Sequence, residues 1–265
     1  MLCALLVHGP ELPVPLTRLS PWFDRLGESQ EKLAADLEAQ PWRRILKTHT
    51  PLDGLPWRPE VSYVFCGRDP RDAFLSMIDN LRNTSAAMKA EVAVRIGVPW
   101  AFDLPADPNE FFRVWMTVPT HDWVEDGFPA GSVFGAARAV WPWRSLPNVH
   151  LIHYRDLRHD LEGEARRLAG FLGVDFDSKL WPRLAAAAGL ETMRACAHET
   201  APGAHLGDWT DNRAFFAQGR LDAWRSVLSA ENRALYEALA PARVEPALRA
   251  WLEGGRATTG DPRLV

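Results

Sequence analysis

Residues 61–83 read VSYVFCGRDPRDAFLSMIDNLRN, and this stretch leaves the backbone little choice. The β-branched and aromatic run VSYVFC suits a short buried strand and stops at Gly67. Asp69 is a natural N-cap, Pro70 fits the first helical position, and Asp72 stands where a capping-box acid would, so a helix must begin directly after Arg68. Two further runs, RRILKT (43–48) and VHLIHY (149–154), also read as strands. Residues 155–173 read as one helix, with Leu157, Leu161, Ala165, Leu168 and Leu172 at helical spacing. Alternating β and α order predicts a mainly parallel sheet covered by helices. Ligands of such sheets bind beyond the carboxyl ends of the strands, which is where Lys47, His49, Arg68 and Tyr154 fall.

Between Thr84 and Gly131 the pattern breaks into helices (85–97 and 109–118) and loops rich in proline and glycine, the kind of excursion that shapes substrate pockets. No repeat or linker marks a boundary, and 265 residues with 47% hydrophobic content suit a single domain spanning 1–265. Thirty basic against thirty-four acidic residues give a net charge of −4, so there is no general basic field for nucleic acid and any anion site must be local. Cys3, Cys66 and Cys196 are scattered and odd in number, which argues against zinc or a disulfide framework and fits a reducing cytoplasm. The opening MLCALLV lacks a basic flank and is far shorter than the roughly 20 residues of a membrane span. Twelve tryptophans and twelve phenylalanines against three tyrosines belong either to the core or to an aromatic-lined pocket.

In ILKTHTPLDG the alternation of a strand puts Lys47 and His49 on one face, so a cation and a titratable base converge on one spot. Arg68, at the start of a helix with free N–H groups, adds a planar fork suited to phosphate oxygens, and Ser76 lies about two turns further along that helix. The alternative for this stretch is a plain helix start with Arg68 paired to a carboxylate. His150 and His153 fall on opposite faces of their strand, and no other His/Cys cluster has ligand spacing, so no metal is expected. No GxSxG elbow or GxGxxG turn supports hydrolase or dinucleotide chemistry. His121, Phe74, Trp100, Phe102 and Trp115 either line an acceptor pocket or simply pack.

Four segments, KTHTPLDGLP, YVFCGRDPRDAFLS, LIHYRDL and GDWTDNRAFFAQ, occur in an order and spacing that resembles the cytosolic-type sulfotransferase family, from about residue 1 to about residue 225. The resemblance implies a three-layer α/β fold of the P-loop-NTPase type, with a mainly parallel sheet flanked by helices. It implies transfer of a sulfuryl group from 3′-phosphoadenosine 5′-phosphosulfate (PAPS) to a hydroxyl or amine of a small apolar acceptor, with 3′-phosphoadenosine 5′-phosphate (PAP) as product. On this basis His49 matches the general base and Lys47 the lysine that steadies charge around the sulfate. Arg68 and Ser76 match the grip on the 3′-phosphate, Tyr154 a residue beside the adenine, and Gly207 the glycine of Gly-Asp-Trp.

The family also opens with a strand and a loop of YPKSGTTW type, whereas MLCALLVHGPELP resembles the helix that follows that loop. The first, central strand and the P-loop are therefore expected to be absent, leaving a gap in the sheet between 61–66 and 149–154, with poor donor binding and slow transfer. The usual Arg-Lys-Gly before Gly-Asp-Trp is replaced by APGAHL, with Gly203 or Ala204 at the earlier glycine, and Leu190 stands where an aromatic precedes Met193. Thr210–Gly219 does not reproduce the short dimer motif seen in many members of the family, so the oligomeric state stays open. Three functions stay open: a sulfotransferase, a catalytically silent sulfotransferase-like binding protein, and a phosphate-binding kinase relative that would leave the Lys47/His49 pair unexplained.

Overall fold

The computed structural model describes residues 1–25, 29–96, 104–119, 126–127, 131–216 and 219–265. Trp100, Phe102 and His121 lie outside the described residues. By its internal contacts the chain divides into two compact units, each discontinuous in sequence. The first comprises Met1–His49, Asp79–Phe102 and Ala165–Gly219, the second Thr50–Ile78, Asp103–Glu164 and Arg220–Val265.

The second unit carries the sheet. Strand β1 (Tyr63–Gly67) pairs in parallel with β2 (Val149–His153), in a register that runs from Tyr63 opposite Val149 to Gly67 opposite His153. The gap expected between these strands is not there: they are hydrogen-bonded neighbours, each satisfying the backbone edge of the other. Nor is 43–48 a strand. It makes only an isolated bridge between Lys47 and Trp22, because a single rung, Phe23 N–H to Lys47 O and Lys47 N–H to Pro21 O, is all the partner backbone offers.

The helix after β1 spans Pro70–Asn83, as its punctuation predicts. Asp69 caps it by accepting the Arg71 N–H at 2.9 Å and also grips the Arg71 guanidinium at 2.9 and 2.7 Å. Asp72 does not close a capping box. Its buried carboxylate instead accepts the N–H groups of Asp222 (2.7 Å) and Trp224 (3.3 Å). After β2 the expected single helix is broken in two, Tyr154–His159 and Leu161–Leu172. At the break Asp160 leaves helical geometry and accepts the Gly163 N–H at 2.8 Å, capping the second piece rather than continuing the first.

An aromatic core fills this unit. Phe74 lies 5.5, 5.0 and 5.3 Å from Phe111, Phe112 and Trp115 between ring centroids, and all four side chains are fully buried. Phe74 and Trp115 are thus packing residues, not pocket walls. Helix Pro246–Gly254 closes over the tips of the strands: Trp251 lies so near Gly67 that a Cβ there would sit 2.3 Å from its ring. Beside it, His153 takes the Arg155 N–H on Nδ1 (3.1 Å), so its Nε2 donates to the Leu252 carbonyl at 2.9 Å.

The first unit is helical, and its opening run forms the expected helix, Leu2–His8. Ala4, Leu16 and Leu19 pack with Met1, Leu12, Val14, Trp42 and Ile45. Arg25 and Asp208 make a buried pair, with Nε at 2.9 Å and Nη2 at 2.5 Å from the two carboxylate oxygens. Among the described residues no helix is long and apolar enough to cross a membrane.

Candidate functional site

Gly67 and His153 are ladder partners, so the residues that follow them, Arg68 and Tyr154, emerge side by side at the carboxyl ends of the two strands. The Arg68 guanidinium lies over the Tyr154 ring at 4.3 Å, a cation–π contact that fixes its plane. One terminal nitrogen donates weakly to the Arg220 carbonyl at 3.4 Å, and Nε is buried without a hydrogen-bond partner. A buried, unsatisfied donor on a permanent cation is costly unless a ligand meets it, and an anion is the ligand it suits. Arg68 is not paired to a carboxylate among the described residues, so the plain helix-start alternative does not account for it. Ser76, half-buried, sits further along the same helix, one turn beyond Asp72.

Lys47 and His49 do come together, but through a tryptophan rather than through a strand. The Lys47 ammonium lies 3.7 Å from the centre of the Trp22 ring, and the His49 imidazole meets the same indole edge-on at 4.9 Å. Asp24 ties the backbone around them: one carboxylate oxygen accepts the His49 N–H at 2.8 Å and the Thr48 hydroxyl at 2.9 Å. Desolvation lowers the Lys47 pKa to about 8 against the pull of Asp24 and Asp208. Desolvation first, and the Lys47 charge second, press His49 down to about 4, with Asp24 opposing. His49 also faces water, and with its pKa held below the ordinary histidine range the imidazole is neutral, and free to accept a proton, at neutral pH. No carboxylate lies within ion-pair distance of the Lys47 ammonium among the described residues.

Gly207 adopts the left-handed conformation (φ 73°), which explains a glycine there on backbone grounds alone. Gly203 is the more constrained of the two, with φ 72° and a Cβ position only 1.8 Å from the Asp208 carboxylate. Asp208, held by Arg25, fixes the turn that contains Gly207. Lys47, His49 and Gly207 thus belong to the first unit, and Arg68, Ser76 and Tyr154 to the second. Sequence reasoning missed Trp22, Asp24 and Arg25. The dense PWFDR run is the only local signal for them, and it says nothing about partners as remote as Asp208, 183 positions away.

A parallel strand pair with an arginine and a tyrosine stacked at its carboxyl end, the arginine Nε buried without a hydrogen-bond partner, marks an α/β protein. The family model of the sulfotransferase domain matches residues 6–240, and the chain belongs to this family, the sulfotransferases. It is 37% identical over 268 residues to a glycolipid sulfotransferase of Mycobacterium bovis (strain BCG / Pasteur 1173P2), a match covering 95% of this chain and 82% of the relative. Among solved structures it resembles mouse sulfotransferase SULT7A1 complexed with PAP, with a TM-score of 0.64 and 17% identity over 82% of this chain and 72% of the other. Retinol dehydratase, in complex with androsterone and inactive cofactor PAP, gives a TM-score of 0.60 and 22% identity, over 83% of this chain and 58% of the other.

Proposed function

We propose that this chain transfers the sulfuryl group of PAPS to a hydroxyl of a lipid-linked sugar or similar apolar acceptor, with His49 as general base. The observation that carries the reading is that the His49 imidazole and the Lys47 ammonium both contact the Trp22 indole, where burial and the Lys47 charge hold the imidazole pKa down. The acceptor class follows the glycolipid sulfotransferase at 37% identity.

PAPS, when bound, supplies an activated sulfuryl group. The unpartnered Arg68 Nε would hold its 3′-phosphate, Ser76 would add a hydroxyl from the same helix, and Tyr154, whose ring holds Arg68, would stand beside the adenine. Gly207 belongs to the cosubstrate-binding set as a backbone turn without a side chain in the way. His49 accepts the proton of the acceptor hydroxyl, which makes the oxygen nucleophilic. Lys47 places positive charge where negative charge develops, and its low pKa marks a poorly hydrated cation of the kind most effective in that role.

The test is transfer of radiolabelled sulfate from PAPS to a glycolipid, for the wild type and for His49→Ala. The alanine variant is expected to lose about 10²- to 10⁴-fold in kcat with PAP affinity unchanged. An unchanged rate would remove His49 from the mechanism.

A further inference from the structure

The loop that follows Gly219 is held far more firmly than a surface connection requires. Asp222 is the one non-glycine residue with positive φ (58°) among the described residues, a conformation that persists only where surrounding contacts impose it. Those contacts are specific. The Asp72 carboxylate takes the N–H groups of Asp222 and Trp224, and the Arg155 guanidinium donates to the Asp222 carboxylate at 3.0 Å. Arg225 adds a longer ion pair to the same carboxylate at 3.5 Å.

The anchors have a common address. Asp72 lies on the helix that Arg68 precedes, and Arg155 directly follows Tyr154. The loop is therefore tied to the two elements whose tips hold the cation–π pair, and its Arg220 carbonyl accepts from the Arg68 guanidinium. With the ring on one face and this carbonyl on one terminal nitrogen, the guanidinium can turn very little, and its buried Nε stays free for a ligand. We propose that Asp222, gripped by Asp72 and Arg155, is a positioning residue: it holds the 220–224 loop so that Arg68 is presented to the 3′-phosphate. This rests on the reading of Arg68 as the anion seat.

The experiment compares the affinities of PAP and of adenosine 5′-phosphate, which lacks the 3′-phosphate, by calorimetry on the full chain. Asp222→Gly keeps the positive-φ conformation accessible and removes the whole side chain, carboxylate included. It is expected to weaken PAP about tenfold, as for loss of one well-oriented charge-assisted contact, and to leave adenosine 5′-phosphate unchanged. Asp222→Asn, which tolerates positive φ and keeps an oxygen for Arg155, should restore most of the affinity. Combining Asp222→Gly with Arg68→Ala should weaken PAP no further than Arg68→Ala alone. Equal weakening of both nucleotides, no weakening of either, or additivity with Arg68→Ala would reduce the loop to a structural role and overturn the proposal. If Arg68→Ala leaves wild-type PAP affinity intact, the anion seat itself is misassigned and the positioning role falls with it.

Discussion

Arg68 and Tyr154 meet because the residues before them are partners in a parallel ladder; Lys47 and His49 meet because both rest on Trp22. In the first case the backbone does the aiming, through a register that repeats every rung and a helix that must begin at Pro70. In the second the backbone is irregular, and aim comes from an indole ring, the Asp24 carboxylate and, further off, the Arg25–Asp208 pair that fixes the Gly207 turn. Aim supplied by the backbone should survive the loss of any one distant side chain, whereas aim supplied by side chains should not.

Four changes sharpen or break that contrast. The largest effect is expected from Arg25→Met, which strands the buried Asp208 charge: about 3–5 kcal/mol of stability should go, as for other buried pairs that lose one partner. Chemical denaturation measures it, and a loss below 1 kcal/mol would mean the pair is not what holds this region. On the ladder side, Gly67→Ala drives a methyl group into Trp251 and should cost about 1–3 kcal/mol in the same assay. Arg68 and Tyr154 should move with it, so PAP affinity should drop while proton transfer at His49 keeps its pH dependence.

That pH dependence is the third test. His49 must be neutral to act as a base and Lys47 charged to steady the sulfate, so kcat/KM should hold to well below the ordinary histidine range and be lost above about 8. Lys47→Met should abolish the upper limb and raise the lower one, since the Lys47 charge is among the causes holding His49 down. A lower limb that stays put in this variant would separate the two side chains electrostatically. The smallest effect belongs to Asp24→Asn. The amide oxygen can still accept from the His49 N–H and Thr48, while loss of the charge that supports protonated His49 moves the lower limb further down.

The contrast also explains what could be read in advance. Asp69 and Pro70 encode a helix start within a few residues, so Arg68 was legible as the tip of a βα turn. RRILKT has strand-forming residues but no partner strand among the described residues, and propensity without a ladder leaves one bridge. Asp160 looks helical by spacing, yet its side chain competes for the backbone and restarts the helix. Asp72 has the position of a capping acid, but its partners lie 150 and 152 residues along the chain, where no local pattern points. The Trp22 platform is likewise 25 positions from Lys47 and shows only in three dimensions.

The segment past residue 240 has a consequence for how proteins of this kind are delimited. The family match ends there, yet Trp251 covers Gly67, the Leu252 carbonyl engages His153, and the backbone N–H groups of Arg256 and Ala257 end on the Asp156 carboxylate. A boundary drawn where the family model ends would amputate the lid of the sheet while sparing every residue implicated in chemistry. This tail delivers a flat ring, a carbonyl and two amides to fixed points, so groups outside the matched span finish the packing around the strand pair.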